Sequence, residues 1–270
     1  MHLETPPEVV KALTRLWDGE RFPNGRPKVP DDIIQRMKLV TTEEAWGVLR
    51  RNGYHRQFEG NWLVTHPEQI LVGRAVTTMF IPHRPDFHDL VQEIGDQEGR
   101  IGGQNSWVID TLEPNDVMVV DMFGKIVNGT SVGDNLSTSV RARTKAGAVI
   151  EGGIRDYQGI VKLTDVNFYF RGMDPSAISD VTLLGINMPI RIGGTTVLPG
   201  DVVLGTPTGI SFIPAHLAQA VVERSEDVRV RDEFGKQRLQ EGKYTPGEID
   251  RAWPEHIEAD FQEWLAQRQG

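Results

Sequence analysis

Gly133-Asp134-Asn135-Leu136 and, further along, Gly152-Gly153-Ile154-Arg155-Asp156 bracket the stretch that decides the fold of this 270-residue chain. Between them, Ser137 to Lys145 has the small and cationic residues of a helix, and Ala146-Gly147-Ala148-Val149-Ile150 is a short apolar run of buried-strand type. The order is turn, helix, strand, turn, which belongs to an α/β architecture. The first turn opens a helix whose free N–H groups and positive dipole end can hold a carboxylate, so the amides of Asn135 and Leu136 behind Gly133 are candidate anion donors. The second turn follows a strand end, where α/β proteins commonly seat ligands. Each motif also has a plain structural reading, the first as a turn and N-cap and the second as a surface turn.

Outward from this unit, strand-like runs appear at Ile70 to Phe80, Trp107 to Leu112, Val117 to Met122, Pro189 to Ile192 and Val202 to Leu204. Pro114-Asn115-Asp116 and Pro199-Gly200-Asp201 each launch one of these runs, and Gly205-Thr206-Pro207-Thr208-Gly209 reads as a hairpin leading into Ile210 to Pro214. Helical spacing is expected over Val9 to Trp17, from Thr42 to Arg51 with a capping arrangement at its start, and over His216 to Gln240. The domain organisation expected is a helical N-terminal arm (1–68), an α/β core (69–240) and a C-terminal tail (241–270). Trp253, Phe261 and Trp264 in that tail are expected to dock on a neighbouring subunit.

A net charge of −9 without any basic tract argues against nucleic acid as the main partner. The absence of cysteine removes thiolate ligands and thiol nucleophiles, leaving oxygen and nitrogen groups for any chemistry. No apolar run is long enough for a membrane span and the N-terminal residues lack a signal-peptide pattern, so the expectation is a cytoplasmic protein with no membrane partner.

Seven blocks carry a resemblance: Val72 to Thr77, Asp116 to Asp121, Gly133 to Leu136, Gly152 to Asp156, Phe170-Arg171-Gly172, Pro199 to Val203 and Gly209 to Pro214. In this order they resemble the family of the regulator of ribonuclease activity A and the 4-hydroxy-4-methyl-2-oxoglutarate aldolases. The resemblance implies a layered β/β/α core like the swivelling phosphohistidine domain, with helical terminal extensions, assembled as a homotrimer or homohexamer with sites between subunits. It implies that Asp156 binds Mg²⁺ or Mn²⁺, that Arg155 contacts a 2-oxo acid substrate, and that Asp134 holds a water on the metal. A Glu reaching over from a neighbouring subunit would be Glu241 or Glu248. The family also holds non-catalytic regulators that bind a protein partner; Asp134, Arg155 and Asp156 together favour an enzyme.

The residues suit the chemistry so implied. Cleaving a 4-hydroxy-2-oxo acid to pyruvate needs an electron sink at the C2 carbonyl, a base at the C4 hydroxyl and a proton source. Mg²⁺ keeps several waters, so one direct carboxylate (Asp156), the 2-oxo acid and waters held by Asp134 would fill its shell, while Arg155 supplies fixed positive charge. Gly133, Asn135 and Leu136 would hold the substrate carboxylate. Oxaloacetate decarboxylation would be a side activity through the same enolate, and a dehydratase or hydratase using the same grip is an alternative. His83 and His88 have two readings, as metal ligands or as structural or substrate contacts. Arg171 also has two, as a salt-bridge partner or as an oxyanion contact.

Overall fold

The computed structural model describes residues 2–269. Three helices come first, α1 (Pro7–Leu13), α2 (Asp31–Met37) and α3 (Thr42–Arg51), then β1 (Phe58–Glu59), β2 (Leu63–Val64) and β3 (Leu71–Pro82). Next are α4 (Pro85–Gln97), α5 (Gln104–Ile109), β4 (Asp116–Asp121), β5 (Thr130–Val132), α6 (Asp134–Thr144), β6 (Gly147–Ile154), α7 (Tyr157–Ile160) and β7 (Asn167–Met173). The chain continues through β8 (Val181–Ile186), β9 (Ile190–Ile192), β10 (Thr195–Val197), β11 (Val202–Thr206), β12 (Gly209–Ile213), α8 (Ala218–Gln240), α9 (Pro246–Ile249) and α10 (Glu255–Gln269).

The expected α/β class holds, as a mixed sheet with helices. Its order is β1-β12-β11-β3-β4-β6-β7-β2, with β5 beside β6 and β8 beside β3. Strands β3, β4, β6 and β7 are parallel, whereas β11 and β8 meet β3 antiparallel. Alternation along the strands sends side chains to two cores. Met118, Val120, Ala148, Ile150, Phe168 and Phe170 pack under α4 to α7 on one face. Val117, Val119, Val149 and Tyr169 face the β9–β10 hairpin on the other. A third core joins α2 and α3 to the first half of α8, over Val202, Leu204 and Ile213.

Trp107 to Leu112, expected as a strand, is instead helix α5 and the turn after it. Its apolar run is buried because the Trp107 indole lies flat on α4 where residue 95 has no side chain; a Cβ there would fall 2.8 Å from Trp107 Cζ2. Short apolar runs do not distinguish a buried strand from a buried helix. Helix α1 stops at Leu13, four residues short of the expected end, and Thr41, one residue before the expected start, caps α3 in a reciprocal box with Glu44. The expected C-terminal docking aromatics close on their own chain: Trp253, Phe261 and Trp264 surround Phe234 of α8, with ring centroids 5.1, 5.3 and 5.7 Å from it.

The two Pro-launched strands use the same clamp. Asp116 Oδ2 accepts the Glu113 N–H and Asp201 Oδ2 accepts the Leu198 N–H, each at 2.9 Å. Their charges are handled differently. Arg26 donates two hydrogen bonds of 2.7 Å to Asp116, with both side chains wholly buried, and so ties the N-terminal segment to the sheet. Asp201 has no cation partner among the described residues, and burial pushes its carboxyl up to about 7.

Replacing Arg26 with Met leaves Asp116 buried and unpaired, so urea unfolding should show a loss of about 3–5 kcal/mol. A loss under 1 kcal/mol would show that the pair does not anchor the segment. For Asp201 the folded pKa lies above the ordinary carboxyl value, so its contribution is full at low pH and is lost as pH rises toward 7. Relative to Asp201→Asn, the parent chain should lose stability between pH 4 and 8, on the order of 4 kcal/mol for a shift of about three units. Parallel stability curves for the two proteins would contradict it.

Candidate active site

The two motifs meet because β6 outruns its neighbour. Strand β4 pairs with β6 as far as Asp121 opposite Glu151, after which β5 takes over, with Val132 opposite Ile154. The Arg155 N–H donates to Val132 O at 3.1 Å. The turn after β5 therefore lies against the turn after β6. Gly152 and Gly153 make room for this crossing, since Cβ atoms there would fall 2.9 Å from Lys125 O and 3.0 Å from Ile126 O of the loop joining β4 to β5.

Gly133 sits at the contact. A Cβ on it would collide with Asp156 Oδ2 and fall 3.2 Å from Arg155 Cγ and Nε. Gly159, on α7, is bare for the same reason on the other side, where a Cβ would lie 2.7 Å from Asp134 Cβ and 3.0 Å from its Oδ2. Asp134, Arg155 and Asp156 are thus gathered around Gly133, as the sequence motifs led us to expect. Asp156 holds a left-handed backbone (φ 54°) as the N-cap of α7, a conformation that Asp tolerates better than most residues and that aims its carboxylate back at Gly133. Arg155 Nε is 3.7 Å from Asp156 Oδ2 and both side chains are about two-fifths exposed, so the guanidinium and the carboxylate remain open to a ligand.

At the head of α6 the amides divide. Asp134 Oδ1 accepts the Asn135 N–H at 2.8 Å, and the Ser137 N–H closes the first helical turn on Gly133 O. The Leu136 N–H lies among the first-turn donors that have no acceptor within the helix. Of the two expected carboxylate donors, Leu136 is available and Asn135 is engaged by Asp134.

Arg171 resolves to its salt-bridge reading. It donates to Glu151 Oε2 and Glu59 Oε1 at 3.0 Å, and to Gly60 O and Asn61 O at 2.8 and 2.9 Å, with its guanidinium 3.6 Å above the Trp62 ring. Glu151 is pushed above the ordinary carboxyl range by burial, pulled back by Arg171, and raised further by Glu59 and Asp121. Sequence reading had Arg171 as a salt-bridge candidate but missed its partners Glu59 and Glu151; the signal was the charged residue interrupting each apolar strand, in Val149-Ile150-Glu151 and Phe168-Tyr169-Phe170-Arg171.

His83 and His88 are not among the side chains gathered around Gly133; they lie beside α4, with ring centroids 4.6 Å apart, and His88 Nδ1 is 3.0 Å from Thr182 Oγ1. Among the described residues no three His, Asp or Glu side chains converge as a metal cage. The donors around Gly133 fit a different kind of cation site, one carboxylate from Asp156 with Asp134 nearby, which suits an ion that keeps much of its water. Glu241 is held by Gln237 and Arg238, and Glu248 by the backbone and hydroxyl of Thr245. Within one chain neither is brought to Gly133.

A family model described as RraA-like, Aldolase/RraA, matches residues 42–211. A candidate 4-hydroxy-4-methyl-2-oxoglutarate aldolase of Halalkalibacterium halodurans is 28% identical over 134 residues, covering 48% of this chain and 63% of that protein, under two thirds of its length. The structure of Streptomyces coelicolor RraAS2, described as an unusual member of the RNase ES inhibitor RraA family, superposes with a TM-score of 0.64 at 25% identity over 79% of this chain and 98% of that one. An uncharacterised Pseudomonas syringae protein shares the fold, with a TM-score of 0.66 at 20% identity over 83% of this chain and all of that one.

The bare Cα of Gly133 yields a direct test. In Gly133→Ala the new methyl must displace the Asp156 carboxylate, so Mn²⁺ affinity measured by electron paramagnetic resonance should fall by roughly tenfold or more, a loss of about 1.4 kcal/mol. The melting temperature should move little, because neighbouring side chains are exposed and can shift. Unchanged Mn²⁺ binding in the folded variant would remove Asp156 from the cation site.

Proposed function

Because the chain belongs to the RraA-like family, we propose that it is a divalent-metal-dependent lyase cleaving a small 4-hydroxy-2-oxo acid to pyruvate, with oxaloacetate decarboxylation as a side activity. The observation that carries this reading is the crowding of Asp134, Arg155 and Asp156 around the bare Gly133, a charge arrangement that a mere surface turn does not need.

In this proposal Asp156 would hold Mg²⁺ or Mn²⁺, and the bound cation would supply the electron sink at the C2 carbonyl. Arg155 places a permanent positive charge beside the same oxygen as the enolate forms, and a guanidinium offers no lone pair to act as a base. The free Leu136 N–H at the positive end of α6, next to Gly133, receives the substrate carboxylate. Asp134 keeps Oδ2 free after Oδ1 has taken the Asn135 N–H, and would orient a water that carries the proton from the C4 hydroxyl. Breaking the C3–C4 bond leaves an enolate, which is protonated at C3 to give pyruvate.

The Arg155 and Asp156 side chains stay partly exposed within one chain. We propose assembly as a homotrimer or homohexamer, with the C-terminal unit, including Glu241 and Glu248, as the segment that could reach a neighbour. A second reading, a non-catalytic regulator that binds a protein, is favoured by the likeness to RraAS2. It gives no use for the open Arg155 guanidinium beside Asp156.

Pyruvate release, followed over a panel of 4-hydroxy-2-oxo acids with and without Mg²⁺, separates these readings. Asp156→Ala should reduce release to background, and Arg155→Lys, which keeps charge but loses the planar fork, should cost about 2–4 kcal/mol in kcat/KM. Full turnover by chelator-treated protein would overturn the metal mechanism, and an absence of turnover on every acid would favour the regulator.

A further inference from the structure

The segment from His83 to Gln104 is not used by the site around Gly133, yet it walls a cavity of about 360 Å³ between α4, the start of α5 and the residues before β8. His83, His88 and Gln92 form one wall, Gln104 and Asn105 the second, and Asp180 the third. The wall is braced from behind. The His83 N–H donates to Asp180 O at 2.9 Å, and His88 Nδ1 is engaged with Thr182 Oγ1, while Nε2 of His88 has no hydrogen-bond partner among the described residues.

Gln104 is the telling residue. It is buried, its Oε1 accepts the Leu183 N–H at 2.7 Å, and its Nε2 has no hydrogen-bond partner among the described residues. An unsatisfied buried donor costs about 1–3 kcal/mol, a cost that a ligand oxygen would offset. One wall of the cavity is also tied to the strand that leads into the proposed active site. Asn105 Nδ2 donates to Ser131 O at 2.8 Å on β5, the strand that runs directly into Gly133.

The lining chemistry selects the ligand. No Lys or Arg lines this cavity, so a phosphate or a second carboxylate would meet no fixed positive charge and would face Asp180. Hydroxyl groups both donate and accept, which matches a carboxylate, two imidazoles and amides that offer both. We infer that this cavity holds the uncharged polyhydroxy chain of the substrate, making the acid cleaved at Gly133 a 3-deoxy-2-oxo aldonic acid. The inference rests on the aldolase reading. In the step, the C3–C4 bond breaks, the C4 hydroxyl loses its proton to become the aldehyde of a short polyol, and the three carbons of C1 to C3 leave as pyruvate, with no change in overall oxidation state.

The test uses the full chain with Mg²⁺ and three substrates: a six-carbon 3-deoxy-2-oxo aldonic acid, the dicarboxylate 4-hydroxy-2-oxoglutarate, and oxaloacetate. The aldonic acid should exceed the dicarboxylate in kcat/KM by roughly tenfold or more. His83→Ala, at an exposed position where the fold is not at risk, and Gln104→Glu, which keeps the acceptor for Leu183 while removing the donor, should each raise KM for the aldonic acid. Their loss on that acid should exceed their loss on oxaloacetate, which has no polyol chain, by about tenfold. Preference for the dicarboxylate, or equal losses on both substrates, would overturn the inference and leave the lyase reading standing. Failure of all three substrates, oxaloacetate included, would overturn both.

Discussion

The site depends on a mismatch in strand length. Strand β4 ends at Asp121 while β6 continues to Ile154, and the backbone groups left along β6 have to be paired. Strand β5 pairs them, and so the chain returns from a loop to sit beside the strand end with Gly133 facing Arg155 and Asp156. Two sequence motifs become one surface through a ladder of ordinary backbone hydrogen bonds. The glycines in both motifs follow from that arrangement, because backbone and carboxylate have to share space that a methyl group would occupy.

Much of this was legible in sequence, and particular residues show why. The turn-helix-strand-turn unit could be read because α6 and β6 have contrasting composition and Gly133 marks the start of α6, although β6 runs on through Gly152 and Gly153 to Ile154, where a turn was expected. Strands β4 and β11 could be read because Asp116 and Asp201 close Pro-containing turns ahead of them. Strand β5 was illegible, since Thr130-Ser131-Val132 has no hydrophobic signature and exists only to extend β6. Helix α5 was misread because burial of Trp107, Val108 and Ile109 on one packed surface erases the periodicity that separates helix from strand. At the site, residue identities were readable while hydrogen-bond allegiance was not: that Asp134 would claim the Asn135 amide depends on a side-chain direction no pattern encodes.

The arginines show how charge is divided between structure and reactivity. Arg26 gives both terminal nitrogens to the buried Asp116, and Arg171 gives its donors to half-buried carboxylates and to carbonyls, which holds the N-terminal segment to the sheet and ties β1 to β6 and β7. Among the described residues Arg155 has one ion-pair partner, Asp156, met loosely and in partial solvent. Because guanidinium geometry is the same in all three, what makes one available for a ligand is the absence of competing acceptors around it. The half-buried Glu59–Arg171–Glu151 cluster, with one cation between two carboxylates, is for the same reason poorly suited to receive an anion.

Helix α8 belongs to two cores. Its first half, through Ala218, Val221 and Val222, seals the core shared with α2 and α3, and its second half carries Phe234 into the separate aromatic cluster of α9 and α10. The family match ends at residue 211, ahead of both halves. The aromatic cluster contains no residue of the sheet that bears the site, so α8 is the packed link through which a mutation in the cluster would be felt there.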